Sequence, residues 1–365
     1  LEDLTSGGRY SSTLLDLLNR SGARAVLGQP RHATGIAESL PFPFLAIVEQ
    51  TEMRVALLLS VINPAIGGVL LIGPRGIGKT TCVRSLTGIL PDIEIEDPTA
   101  DLEADQSAPI IWDTVKIVEL PLNARLEEVV GGINERIAVQ QNRIKLEPGI
   151  LSRANNNILY IDEVNLLQDD IVDAILDAAA QGSYTVRRGA MAGTFAAKFI
   201  LIGSMNPEEG RLRPQIMDRF GLRVVVRGLS SAQARLQVYE RVRLYRENPR
   251  HFVAQWADLT NDTRELVSMA RLLLKETRLS QQAIELGLEL VHDLDIDSHR
   301  AEYSMFEAAR AYAAADGRDL AEVGDLRAVA PLALRQRKSQ YMVDFFHHQK
   351  AEDDQIRAKL DQWIG

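Results

Sequence analysis

The chain alternates between short, wholly apolar runs and longer segments in which apolar residues recur every three or four positions. VEQTEMRVALLLSVIN, residues 48–63, has the second pattern and predicts a helix stopped by Asn63-Pro64. GGVLLIG, 67–73, has the first, the continuous burial expected of a strand in a parallel sheet covered on both faces. KTTCVRSLTGIL, 79–90, predicts a helix ended by Pro91. IIWDTVKIVELP, 110–121, reads as one strand, and LEEVVGGINERIAVQ, 126–140, as a helix or a helix and loop. NNILYIDEVNLL, 156–167, is a buried strand running into a helix, and DDIVDAILDAAAQG, 169–182, is a helix closed by Gly182. Residues 183–207 predict a hairpin and a core strand, and RVVVRG, 223–228, supplies the last strand. Strands alternating with helices define the α/β class, a parallel sheet under helices.

Beyond Gly228 the strand pattern stops. Helical periodicity returns over 230–248, 262–276, 280–295, 301–317 and 320–337, with Ser230 and Gln233 spaced as a capping box. The expected division is a loose N-terminal arm over 1–40, in which SSTLLDLLNR (11–20) allows one or two helical turns, an α/β unit over 41–230, a helical unit over 231–350 and a helix or tail over 351–365. At 365 residues the chain suits two or three units, and with 46% hydrophobic and 25% charged residues it is not a disordered polymer. The acid-rich stretch 92–105 holds seven carboxylates and no base, and reads as a solvated loop. Cys82 is the single cysteine, which excludes an internal disulfide; as a small residue after a glycine-rich loop it reads as helix packing. His292, His299 and His347-His348 lack metal-ligand spacing. A net charge of −9 argues against a whole-protein grip on nucleic acid, and no apolar run approaches a membrane span. The chain opens at Leu1 rather than a methionine, which reads as a fragment or a processed form.

The chemistry sits at three strand ends. Gly73-Pro74-Arg75-Gly76-Ile77-Gly78-Lys79-Thr80 satisfies G-x-x-x-x-G-K-[ST] between a strand and a helix, the context a phosphate cradle needs. Glycines let backbone N–H groups wrap phosphate, Lys79 reaches the β- and γ-phosphates, and Thr80 offers a hydroxyl to Mg²⁺. Thr81 adjoins this binding set, with helix packing as its alternative. Leu159-Tyr160-Ile161-Asp162-Glu163 ends a strand in two acids: Asp162 to hold Mg²⁺, Glu163 to orient an attacking water. Asn206, at the end of FILIGSMN, either senses the γ-phosphate or caps the loop before Pro207. Arg211, Arg213, Arg219, Arg223 and Arg227 form a basic run, either solvated surface or a source of cations for a phosphate site.

These pieces resemble the AAA+ ATPase subunit of magnesium chelatase, the BchI/ChlI family. The resemblance rests on 42–81, 146–182, NPEEGRLRPQIMDRFGL (206–222) and GRDLAEVGDLRAVAPLALRQR (317–337), about four-fifths of the chain counted from first to last. It implies an AAA+ phosphate-loop sheet core with a separate C-terminal helical domain, ATP and Mg²⁺ as cofactors, and a ring, commonly a hexamer, with ATP between subunits. By position, Gly73, Gly76, Gly78, Lys79 and Thr80 match Walker A and Asp162 and Glu163 match Walker B. Asn206 matches sensor 1, Arg219 the arginine finger acting on a neighbour, Asp218 an interface acid and Arg300 the sensor 2 arginine. Residues 184–199 match an inserted hairpin, and 92–105 with 123–145 match inserts that contact neighbours. The family more often has an acid and a threonine where this loop has Pro74 and Ile77, and serine at Thr80. It usually has Gly-Leu-Arg-Gly where this chain has Asp297-Ser298-His299-Arg300-Ala301. The implied partners are an AAA+ subunit with an integrin-like domain (BchD/ChlD) and the porphyrin-binding subunit (BchH/ChlH), which inserts Mg²⁺ into protoporphyrin IX. Domain motion about a hinge near Gly228 drives them, in bacterial cytoplasm or plastid stroma. A MoxR-type chaperone acting on a von Willebrand-domain or metal-binding partner has the same chemistry and stays open at this point, while a DNA-remodelling motor is disfavoured by the charge.

Overall fold

The computed structural model describes residues 13–20, 40–96, 110–133, 146–188 and 191–338, with 355, 356 and 359 beyond them. In chain order its strands are β1 (Val69–Ile72), β2 (Ile93–Glu96), β3 (Ile110–Asp113), β4 (Ile117–Glu119), β5 (Gly131–Ile133), β6 (Leu146–Pro148) and β7 (Ile158–Ile161). Then come β8 (Ser183–Arg188), β9 (Met191–Ala196), β10 (Ile200–Met205), β11 (Leu222–Val225), β12 (Arg278–Leu279) and β13 (Leu320–Ala321). The central sheet runs β11-β1-β10-β7-β4, with every neighbouring pair parallel.

Side chains alternate across a strand, so burying every position of β1, β7 and β10 requires cover on both faces. Leu71, Tyr160 and Ile202 enter one core with the helix Thr51–Ile62 and the C-terminal helices. Leu70, Ile161 and Leu201 enter the other, under Val129, Leu151, Ile171 and Ile175. The helix Thr51–Ile62 is wrapped on nearly every side, with Met53, Leu57, Leu58, Leu59 and Val61 all buried, because the sheet covers one flank and C-terminal helices another. Ala301, Met305, Ala308, Leu326 and Val329 lie in the same cluster as Val69 and Leu71. The helical lid region therefore continues the core of one sheet face. Buried Arg223 on β11 helps join them, donating to Met217 O at 2.6 Å and Arg335 O at 2.9 Å.

Several local expectations are corrected. IIWDTVKIVELP is two strands: Asp113 Oδ1 accepts from Thr114 N (2.8 Å) and Asp113 Oδ2 from Lys116 Nζ (2.6 Å), which turns the chain between β3 and β4. The start of the acidic stretch is not loop, because β2 pairs antiparallel with β3; residues 97–105 lie outside the described residues. The helix after the phosphate loop ends at Ser85 and tightens into a 3-10 turn, Leu86–Gly88. Residues 249–255 form a helix that periodicity missed, its first turn opened by Asn248, which accepts from His251 N at 3.0 Å. The capping serine is Ser231 rather than Ser230, accepting from Ala234 N at 3.4 Å. Within the arm, the stretch read as one or two helical turns is the helix Leu14–Arg20, and the difference is that its Leu14, Leu15 and Leu18 are buried in the core. Arg54 anchors it, donating to Leu18 O at 2.8 Å.

Candidate functional site

The loops after β1, β7 and β10 leave the same edge of the sheet, the carboxyl edge where ligands of α/β folds bind. Register aligns them: Ile72 pairs with Met205 and Ile161 with Gly203, so Asp162 stands level with Ser204 and two residues short of Asn206. Residues 73–80 thus meet Asp162, Glu163 and Asn206, as the motifs require.

The loop's shape follows from its glycines. A Cβ on Gly73 would lie 2.3 Å from Val226 O, so only glycine fits where the loop passes β11. Gly76 and Gly78 have φ of 79° and 88°, conformations that side chains disfavour, and these turn the chain into the helix Lys79–Ser85. Lys79 is 8% exposed; its Nζ donates to Gly73 O and, at 3.0 Å, to Pro74 O. Burial pulls its pKa down, opposed chiefly by Asp162. The ammonium is thus held inside the cradle by carbonyl oxygens that an anion can replace.

Thr80 Oγ1 lies 3.5 Å from Asp162 Oδ2 and 3.1 Å from Tyr160 OH. Asp162 Oδ1 accepts from Tyr160 OH at 2.9 Å and from Ser204 Oγ. The Tyr160 hydroxyl, raised to about 12 chiefly by burial, remains a donor at neutral pH. With Oδ1 satisfied, Oδ2 faces the Thr80 hydroxyl. A hydroxyl and a carboxylate in that relation are the hard oxygen donors that Mg²⁺ takes, so the residues fit the ion. Tyr160 and Ser204 escaped the motif reading. Their signal was period two: each sits two residues before an identified polar residue, on the same strand face.

Glu163 has a left-handed backbone, φ 56°, of order 1 kcal/mol less favourable than an ordinary one. Its N–H donates to Ser204 Oγ at 3.2 Å. Its Oε1 lies 2.8 Å from Arg75 Nη2, and Arg75 Nε also lies 2.6 Å from Glu209 Oε1. Asn206 is 3% exposed and organises its own turn: Glu208 N donates to its Oδ1 at 3.3 Å and Glu209 N to its carbonyl at 3.1 Å. Beside the loop a cavity of about 530 Å³ opens between Ile47, Val48 and Met53 on one wall and Val238 and Val242 on the other. Gly76, Gly78 and exposed Thr81 line its mouth, so Thr81 is not packing in the core. Arg241 pins the near wall by donating to Ala46 O at 2.8 Å. Sequence reading missed this apolar recess, because its two walls lie nearly 200 positions apart (Arg241 to Ala46 is 195).

Arg219 and Arg300 are not at this edge. Arg219 stands just before β11, its carbonyl against Gly67, and lines with Arg300, Gly67, Gly68 and Asp177 a cavity of about 80 Å³. That is the amino edge of the sheet, about 17 Å from the cradle at roughly 3.3 Å per residue from Gly68 to Gly73. Arg219 pairs with Asp177 at 2.5 Å, and Arg300 lies 3.7 Å from Asp218. Asp218 also accepts from Ser298 Oγ and Arg337 Nη1, both at 2.7 Å. The basic run is not one patch: Arg213 pairs with Asp169 and Arg223 is sealed in the core, where burial lowers its pKa to about 10. Cys82 is fully buried, its thiol pushed up to about 12 by burial. No cluster of metal-ligating side chains with three or more His, Cys, Asp or Glu occurs among the described residues. No helix among them is long and apolar enough to cross a membrane.

A phosphate loop, paired acids and a buried asparagine at neighbouring strand ends of a five-stranded parallel sheet, with a C-terminal helical region packed on it, define an ATPase of the AAA+ class. Comparison with known proteins narrows that class. Residues 44–214 match the family model described as magnesium chelatase, subunit ChlI, and residues 280–359 match an AAA lid domain. A magnesium-chelatase subunit ChlI homolog of Methanocaldococcus jannaschii is 41% identical over 310 residues, covering 81% of this chain and 85% of that protein. The magnesium-chelatase subunit ChlI of Nostoc is 39% identical, covering 83% and 86%. A putative ATPase from Cytophaga hutchinsonii, at 20% identity and a TM-score of 0.55 over 80% of this chain and 83% of that one, shares the fold. The chain belongs to the ChlI family of magnesium-chelatase subunits.

Proposed function

We propose that this chain is the ATP-hydrolysing motor of a magnesium chelatase, whose turnover drives another subunit to insert Mg²⁺ into protoporphyrin IX. The observation that carries it is the convergence of Lys79, Thr80, Asp162 and Glu163 at one sheet edge in a ChlI-family chain. The chemistry is ATP + H₂O → ADP + phosphate. Phosphates would be held by loop N–H groups and Lys79, and the accompanying Mg²⁺, which neutralises phosphate charge, by Thr80 and Asp162. The base would enter the recess beside Thr81. Glu163 accepts a hydrogen bond from the attacking water and aligns it, and Asn206 reads the γ-phosphate from the next loop.

Arg219 and Arg300 share the edge opposite the cradle, and we assign both to the phosphates of a neighbouring subunit. For Arg300, the sensor 2 position of the resemblance, this means action on a neighbour's nucleotide rather than its own. A cation brought to the transferring phosphoryl group from outside makes hydrolysis depend on a closed ring, proposed to be a hexamer. The domain division near residue 230, the integrin-domain and porphyrin-binding partners, and a bacterial cytoplasmic or plastid stromal setting belong to the same proposal. The chaperone alternative lacks the support that ChlI-family membership gives the chelatase. Glu163→Gln tests the catalytic assignment: ATP binding is retained and turnover falls by about 10²-fold or more, as for loss of a water-aligning group. Wild-type turnover in that variant would refute the role.

A further inference from the structure

Arg75 lies in the phosphate loop with its side chain 67% exposed, yet it bridges two carboxylates on two other loops. Nη2 and Nε both point to Oε1 of Glu163, at 2.8 Å and 3.0 Å, and Nε lies 2.6 Å from Oε1 of Glu209. Glu163 and Glu209 are themselves largely covered, at 19% and 22% exposure. Glu209 is carried by the Asn206 turn, through its N–H on the Asn206 carbonyl. Its second oxygen, Oε2, is buried with no hydrogen-bond partner among the described residues, and the polar contact they give this carboxylate runs through Arg75.

A carboxylate oxygen that receives two N–H groups from a cation is a poor acceptor for a water proton. Arginine's fork also suits phosphate, and a triphosphate carries more negative charge than either carboxylate. We propose that Arg75, moored on Glu209, is a latch on Glu163: it withholds Oε1 from water, and a triphosphate in the loop competes with the two carboxylates for the guanidinium, so that the ATP-bound state is divided between latched and open forms. Hydrolysis is thereby tied to the arrival of the full phosphate chain. This rests on the reading of Glu163 as the water-aligning group, and Arg75 and Glu209 act through it as positioning residues.

The test is steady-state ATPase kinetics on the full chain for wild type, Arg75→Gln, Arg75→Lys, Glu209→Gln and Glu163→Gln. Arg75→Gln raises kcat by about threefold, the scale of an exposed ion pair, and raises KM by removing a phosphate contact. Arg75→Lys falls between it and wild type. Glu209→Gln, which leaves the phosphate loop intact but frees the moor, lowers KM for ATP by about two- to threefold. At saturating ATP, raising salt from about 50 to 300 mM raises the wild-type kcat and leaves that of Arg75→Gln unmoved. The latch is overturned if Arg75→Gln has a kcat at or below wild type while Glu163→Gln is silent, or if KM in Glu209→Gln is unchanged or higher. Should Glu163→Gln keep wild-type turnover, the reading of Glu163 fails and the latch with it.

Discussion

Each side chain at the cradle is set by a neighbour that the motif does not name. Lys79 is kept in place by two carbonyl oxygens of its own loop, and Asp162 is turned toward Thr80 because Tyr160 and Ser204 occupy its other oxygen. The motif residues were legible, since chemistry fixes their types and spacing. Tyr160, Ser204 and Glu209 were not, because a supporting hydrogen bond across strands leaves no fixed spacing in the chain. Cys82 illustrates the opposite case, where a bland sequence reading holds. Burial raises its thiol to about 12, so at pH 8–9 it stays protonated and without the thiolate that reagents need. Iodoacetamide under native conditions leaves Cys82 unmodified over hours, by intact mass, and labels it once the chain is unfolded in guanidinium. Rapid native labelling would contradict the burial.

At the scale of elements, continuous apolar runs identified the core strands because a sheet covered on both faces removes the usual alternation. The same logic failed at IIWDTVKIVELP, where Ile110 and Trp112 are exposed on a ribbon and only the second half joins the sheet. Apolarity there does not report burial, so composition gave no sign of the break. The last strand of the sheet fixes where Arg219 stands. The helix Pro214–Arg219 ends immediately before β11, so Arg219 enters at the amino edge, far from the phosphate loop of its own chain. The resemblance assigns this arginine to a neighbour's site, and the sheet's direction is consistent with that proposal, since it keeps Arg219 away from the phosphate loop of its own chain. Rings mixed from wild type and Arg219→Ala show this directly. The variant binds ATP, is silent alone by roughly 10³-fold as for loss of an arginine finger, and regains hydrolysis at its own Lys79 when a wild-type neighbour is supplied. Activity that is independent of the mixing ratio would rule out action between subunits.

Across the whole molecule, one apolar cluster runs from Val69 and Leu71 through the helix Thr51–Ile62 to Ala308 and Val329. The periodicities after residue 230 announced a helical region, yet no pattern in a single helix says which face of a distant sheet it will cover. That continuity bears on the motor. Separating the lid region from the sheet would expose a shared core, which favours sliding of packed surfaces over detachment. Arg223 and Arg337, held by carbonyls on both sides of the junction, tie the two surfaces together. The acidic balance of −9, which bears on nucleic acid as a partner, says nothing of the charge at the cradle, where Lys79 is buried. The central claim is tested by reconstitution: this chain with an integrin-domain subunit, a porphyrin-binding subunit, protoporphyrin IX, Mg²⁺ and ATP, followed by the fluorescence of Mg-protoporphyrin. The account predicts ATP-dependent product that vanishes when this chain is omitted or carries Lys79→Ala. Product formed equally well without it, or ATP hydrolysis by this chain with no product under any subunit ratio, would contradict the account.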